Sequence, residues 1–213
     1  MSARAMARHW AVRATLLTTA VVAAGAGFAS ARPPAPDSVV YRLLPSSRFD
    51  VRTGKAGLFG FAGHNHVVRA RAFTGSVQYD PANPSASRLE ITIPADSLEV
   101  LTPHDTAEIR KVTENMRTQV LHVDQYPDIR FIATAATPTP TGFRLDGQLT
   151  LVGQTRSVPV EATVEVGPDT LRARGTFAVK QTDFGIKPVG GAVKVANQVT
   201  FDFDAVAVRE PPR

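Results

Sequence analysis

Val158-Pro159-Val160-Glu161-Ala162-Thr163-Val164-Glu165-Val166, then Gly167-Pro168-Asp169, then Leu171-Arg172-Ala173-Arg174-Gly175-Thr176-Phe177-Ala178-Val179: the fold turns on this stretch. Residues two apart on a strand share a face. The first run therefore puts Val158, Val160, Ala162, Val164 and Val166 on a dry face, with Pro159, Glu161, Thr163 and Glu165 on a wet one. In the second run Leu171, Ala173, Gly175, Phe177 and Val179 turn away from Arg172, Arg174 and Thr176. Gly-Pro-Asp between them is turn chemistry, and a connection that short joins antiparallel neighbours.

The same alternation extends in both directions. Phe73, Gly75, Val77 and Tyr79 share a phase, as do Leu89, Ile91 and Ile93. So do Phe143, Leu145, Gly147, Leu149 and Leu151, and likewise Val199, Phe201, Phe203 and Ala205. Asp80-Pro81-Ala82-Asn83-Pro84 punctuates the early part. Further strands are expected at Val39–Leu44, at Arg48–Thr53 and from Ile129 to Ala135. About eight or nine strands with one wet and one dry face make an all-β protein, as a single closed or nearly closed antiparallel sheet. From Thr102 to Leu121 the spacing changes. Ile109, Val112, Met116 and Val120 fall at helical intervals, behind Thr102-Pro103-His104-Asp105 as an N-cap segment. One amphipathic helix beside so much strand is expected to lie across an end or wall of the barrel. The dry face also carries Gly75, Gly147, Ala162, Ala173, Gly175 and Ala205. Such small residues either leave room inside a barrel or relieve crowding between the sheets of a sandwich.

The chain has 213 residues, 43% of them hydrophobic, and no cysteine, which excludes disulfides, thiolate metal sites and thiol catalysis. Its formal charge of +5 is concentrated at the start. Arg4, Arg8 and Arg13 precede an apolar run, Ala14 to Phe28, that ends in Ala29-Ser30-Ala31. This is the pattern of a Sec-type signal peptide over residues 1–31, and the run is short for a bilayer span. Without it Lys+Arg falls from 24 to 21 against 19 acids. So balanced a charge does not fit a nucleic-acid partner. Residues 32–38 form a proline-rich leader and residues 39–210 the folded domain. The expected location is periplasmic or secreted.

Among motifs that carry chemistry, Gly63-His64-Asn65-His66 stands out. On a strand, His64 and His66 would face one side, with His104 or His122 as a third metal ligand. The bland reading is hydrogen bonding at a barrel rim. No nucleophile elbow, Walker loop or dinucleotide fingerprint occurs, and the carboxylates are scattered over wet faces, so the sequence is not that of an enzyme and implies no cofactor. Gly54 to Gly63, interleaved with Leu58, Phe59 and Phe61, suits an apolar lip.

Several segments together resemble the YceI-like family of bacterial periplasmic lipid-binding proteins. They are Ser47-Arg48-Phe49-Asp50-Val51, Gly63-His64, Phe73-Thr74-Gly75, Tyr126-Pro127-Asp128-Ile129-Arg130-Phe131, Gly147 to Arg156, and Asp183-Phe184-Gly185-Ile186. The likeness runs from Tyr41 to Val208. It implies a lipocalin-like antiparallel barrel with a helical segment, and a cavity for a polyisoprenoid or other long-chain amphiphile. Under that reading the lining would include Phe49, Val51, Phe73, Val77, Leu149 and Leu151. Phe177, Val179, Phe201 and Phe203 complete it, with His64 and His66 near a polar head group. The partner is then a long-chain lipid or isoprenoid, and transient membrane contact and a homodimer are compatible with it. Two rival classes are a periplasmic metal- or haem-binding stress or electron-transfer protein using His64 and His66, and an exported hydrolase, which lacks a nucleophile frame.

Overall fold

The computed structural model describes residues 38–56, 65–102, 106–188 and 194–211. The expected signal peptide and most of the leader, His64, His104 and the apolar lip from residue 57 onward lie outside them. Strands β1 (Val39–Leu43) and β2 (Arg48–Ala56) both run antiparallel along β11 (Lys194–Arg209). They are two halves of one bent stave, not two separate staves as the alternation suggested. Residues 44–47 face only Ala205 and Val206, because Leu43 opposes Ala207 and Arg48 opposes Asp204. Extra residues on one strand bend it, as in a β-bulge. Pro45 has no N–H to give. The Ser47 hydroxyl takes over the pairing, accepting from Val206 N at 2.9 Å and donating to Val206 O at 3.0 Å.

The next two staves bend beside the first. One is β3 (His66–Ala70) with β4 (Thr74–Tyr79), the other β5 (Arg88–Pro94) with β6 (Leu98–Val100). Arg71 N donates to Ser97 O at 3.1 Å, and Ser97 Oγ to Ala72 O at 3.1 Å, so the two bends are tied together. The circuit continues through β7 (Asp128–Thr139), β8 (Gly142–Leu151), β9 (Gln154–Val166) and β10 (Thr170–Lys180). The order β1-β4-β5-β7-β8-β9-β10-β11 returns to β1, closing an eight-stranded antiparallel barrel of lipocalin-like type; β2, β3 and β6 prolong three staves past the bend. Closure rules out the sandwich.

Helix α1 (Thr106–Asn115) continues as a π-turn over Met116–Val120. The expected capping residues 103–105 lie outside the described residues. The helix covers the free edge of β6. Thr113 Oγ1 accepts from Val100 N at 3.2 Å, and the Arg117 guanidinium donates to Leu98 O at 2.9 and 3.2 Å. An open strand edge is a template for unwanted pairing, and these side chains occupy it. The β8–β9 hairpin turns at Val152 and Gly153, both with positive φ, the pattern of a two-residue primed turn. A Cβ on Gly153 would fall 2.6 Å from the Tyr126 ring. The Tyr126-Pro127 segment and the Leu149-to-Thr155 segment, separate in sequence, thus meet in space.

Two apolar clusters occupy the interior. One, at the base, gathers Val100, Val160, Phe184, Ile186 and Leu121 with Val112, Met116 and Val120 of the helical segment. The other, at the opposite rim, is Tyr41, Leu171 and Ala207 with Leu43, Val77 and Val164 around them.

Candidate functional site

A cavity of about 170 Å³ lies inside the barrel, touching residues of both clusters. Asp50, Tyr79, Ser87, Arg88 and Asp202 are the polar exceptions in a lining otherwise made of aliphatic and phenyl side chains. On β8 the lining runs from Phe143 to Leu149, seven residues, or roughly 20 Å measured along the strand. The space is long, narrow and apolar. It can hold a hydrocarbon chain.

Of the side chains expected in the lining, Phe49, Val51, Val77, Leu149, Phe177, Phe201 and Phe203 border this cavity. Phe73 instead meets Phe49 edge-on, with ring centroids 4.9 Å apart. Leu151 and Val179 belong to the packed base. The sequence reasoning missed Phe131, Ala133, Ala136, Phe143 and Leu145. Phe143 and Leu145 stood in a recognised dry phase, and Phe131 in a recognised segment. Ala136 was hidden for a physical reason: the β7–β8 register shifts between Ala133 and Ala136, so the inward phase jumps by three residues rather than two.

The inward glycines need a correction. They do not open space, because neighbouring atoms fill it. A Cβ on Gly147 would sit 2.2 Å from Phe131 Cζ, and one on Gly175 would sit 2.4 Å from Glu161 O and 2.7 Å from Phe203 Cζ. These are close-approach glycines. The alanines supply the room: Ala133, Ala136, Ala162, Ala173 and Ala205 all border the cavity.

His66 is the first residue of β3; its backbone N donates to Thr53 Oγ1 and its Nδ1 to Thr102 O at 2.7 Å. It is not among the cavity-lining residues. Among the described residues no group of three His, Cys, Asp or Glu side chains is placed to hold a metal ion. Ion pairs brace the barrel wall, one of them at the cavity-bordering Asp50. Asp50, 3% exposed, is gripped by Arg69 through Nε at 2.7 Å and Nη2 at 2.8 Å, which raises the guanidinium above its ordinary pKa. Further round, Arg172 clasps Asp204 at 2.8 and 2.6 Å, and this hydrogen bonding holds the Asp204 carboxyl below its usual value.

Comparison with known proteins places this geometry. The sequence model of the YceI-like domain matches residues 46–207. A UPF0312 protein of Pseudomonas aeruginosa is 30% identical over 125 residues, 56% of this chain and 62% of the relative. Another, of Pectobacterium atrosepticum, is 28% identical over 122 residues, 54% of this chain and 59% of the relative. The aligned part thus spans less than two thirds of these relatives' length. Among solved structures, Burkholderia cenocepacia BcnA superposes with a TM-score of 0.63 at 20% identity, covering 75% of this chain and 95% of that one. A polyisoprenoid binding domain from Saccharophagus degradans gives 0.60 at 12% identity, covering 80% and 98%. The Campylobacter jejuni YCEI protein gives 0.53 at 15%, covering 68% and 85%. At such identities the structural likeness is one of fold.

Proposed function

This chain belongs to the YceI-like domain family, and from that premise we propose that it is a binding protein that sequesters or carries the hydrocarbon chain of a lipid, of polyisoprenoid type, inside its barrel. The observation that carries the proposal is the cavity: long, closed off by eight strands and apolar over nearly all its lining. The Saccharophagus degradans domain of the same fold is described as polyisoprenoid binding, which supports the choice of ligand class. The energetics agree. Burying a methylene is worth about 0.8 kcal/mol while association costs about 4–15 kcal/mol, so roughly ten or more carbons must enter for useful affinity. A cavity on the order of 20 Å long matches a chain of that class better than a short acyl tail. No observation favours metal or haem chemistry at His66, whose Nδ1 is engaged with Thr102 O.

The proposal includes export. Arg4, Arg8 and Arg13, the apolar run and Ala29-Ser30-Ala31 motivate it, and a periplasmic carrier would meet its lipid at a membrane surface. One experiment tests both parts. Protein recovered from its native cell envelope is analysed by intact mass and by mass spectrometry of the extracted lipid. A mature N-terminus near Arg32 and a stoichiometric long-chain isoprenoid are expected. Protein free of any lipid would defeat the binding reading, and full-length chain held in the inner membrane would defeat export.

A further inference from the structure

Phe131 of β7, Phe177 of β10 and Phe201 of β11 form a row of rings inside the barrel. Phe131 and Phe177 have centroids 6.2 Å apart with planes tilted by 32°; Phe177 and Phe201 stack at 4.7 Å and 5°. In the closed order of eight, β7 is fourth and β11 eighth, so the row joins opposite walls. All three rings border the cavity. On β8 the Phe131 ring sits over Gly147, and lining residues lie on both sides of it: Leu145 towards the rim cluster, Leu149 towards the base. The row thus crosses the single cavity between its rim side, the rim lobe, and its basal side, the basal lobe. The rim lobe is the accessible one: its lining residues Leu43, Val77, Tyr79 and Val164 are only half-buried, whereas Leu98 and Val160 at the basal end are 7% and 2% exposed.

We propose that this aromatic rung measures the ligand: a chain entering at the rim fills the rim lobe, and only a chain that displaces the Phe177 ring reaches the basal lobe. Phe177 is the decisive residue because it touches both other rings. The rung is held by stacking and by packing over Gly147, so its closed state has a definite energy that a longer chain must overcome. Chain-length selection in this protein is then a property of one phenyl ring rather than of the barrel as a whole.

This inference rests on the lipid-binding reading, and the test separates the two. Saturated primary alcohols of increasing length compete with an apolar fluorescent dye on the purified chain, wild type and Phe177→Leu. Affinity should tighten about fourfold per methylene, the equivalent of about 0.8 kcal/mol, until the chain meets the rung, and then level off. In Phe177→Leu the levelling should move to longer alcohols. Ala173→Leu, on the rim side of the rung, should move it to shorter ones. Thermal unfolding confirms that each variant is folded, and Phe131→Leu replaces Phe177→Leu if the latter is not. Levelling at the same length in wild type and folded rung variants would overturn the ruler. Failure of the wild type to bind any alcohol or the dye would overturn lipid binding itself.

Discussion

The two ends of the barrel interior are built from the same alternating strands and differ in what fills them. At the base, Phe184 and Val100 are each 1% exposed, packed with Ile186, Leu121 and the apolar face of the helical segment, and none of these four residues borders the cavity. Towards the rim, Leu43, Val77, Val164, Leu171 and Ala173 converge on open space. Alternation decides which side chains point inward. It does not decide whether inward side chains meet each other. That depends on what plugs the barrel: the base receives Gln181–Phe184 and the helical segment, anchored by Arg156 Nε on Asp183 O at 2.8 Å.

The sharpest way to break this comparison is truncation at each end. Phe184→Ala removes a ring from a filled site and should cost about 3–5 kcal/mol. Val77→Ala removes methyls that face the cavity, where fewer contacts are lost, and should cost about 1 kcal/mol or less in lipid-free protein. Urea unfolding with an unchanged m-value reads both. Equal losses would mean the rim is as tightly packed as the base.

Addition should show the reverse ordering of tolerance. Gly147→Ala thrusts a methyl onto the Phe131 ring and should cost about 1–3 kcal/mol through overpacking. Ala173→Val adds bulk where the cavity has room and suits a strand, so its unfolding midpoint should stay near wild type while bound lipid falls. Ser47→Ala addresses the bend between the two halves of the first stave. It strips the hydroxyl that both accepts from and donates to Val206, leaving a partly buried N–H unmatched, and should cost about 1–2 kcal/mol by the same assay.

Much of this molecule was legible before any coordinates. The dry phases of β8, β9, β10 and β11 follow directly from period-two alternation, which left barrel and sandwich both open; the family resemblance pointed to the barrel. The bends were not legible. Nothing in Leu44-Pro45-Ser46-Ser47 distinguishes a hairpin that starts a new stave from a kink within one, because the distinction depends on β11 pairing with both sides. The cavity wall was half legible. Phe49, Val77 and Phe201 are in phase, whereas Ala136 lies behind a register shift and the glycines turned out to be occupied by Phe131, Phe203 and the Glu161 carbonyl. Volume inside a barrel is set by long-range contacts, which a linear pattern does not contain.

The smallest expected effect lies on the outer wall and serves as a control for the interior comparison. Arg172 on β10 holds Asp204 on β11 through two hydrogen bonds, with Arg174 3.6 Å away on the same carboxylate. Hydrogen bonding from Arg172 is the main reason the Asp204 pKa lies below its ordinary 3.8; partial burial works against it. A carboxyl whose folded pKa is depressed contributes stability at pH values above its unfolded pKa, and that contribution fades as pH falls through the folded value. The pair lies at the solvent-facing surface, with Arg172 exposed and Asp204 half-buried, so solvent and salt screen it and the effect should be smaller than any interior substitution. Asp204→Asn should lower the urea midpoint slightly at neutral pH. The difference from wild type should shrink in high salt, begin to fade as the pH falls towards 3.8 and vanish only below the still lower folded value. It should also be the same with and without bound lipid, because the carboxylate faces away from the cavity. A difference that survives in acid would show that Asp204 acts through packing rather than charge, and one that grows on lipid removal would show that the outer wall responds to the filling of the interior.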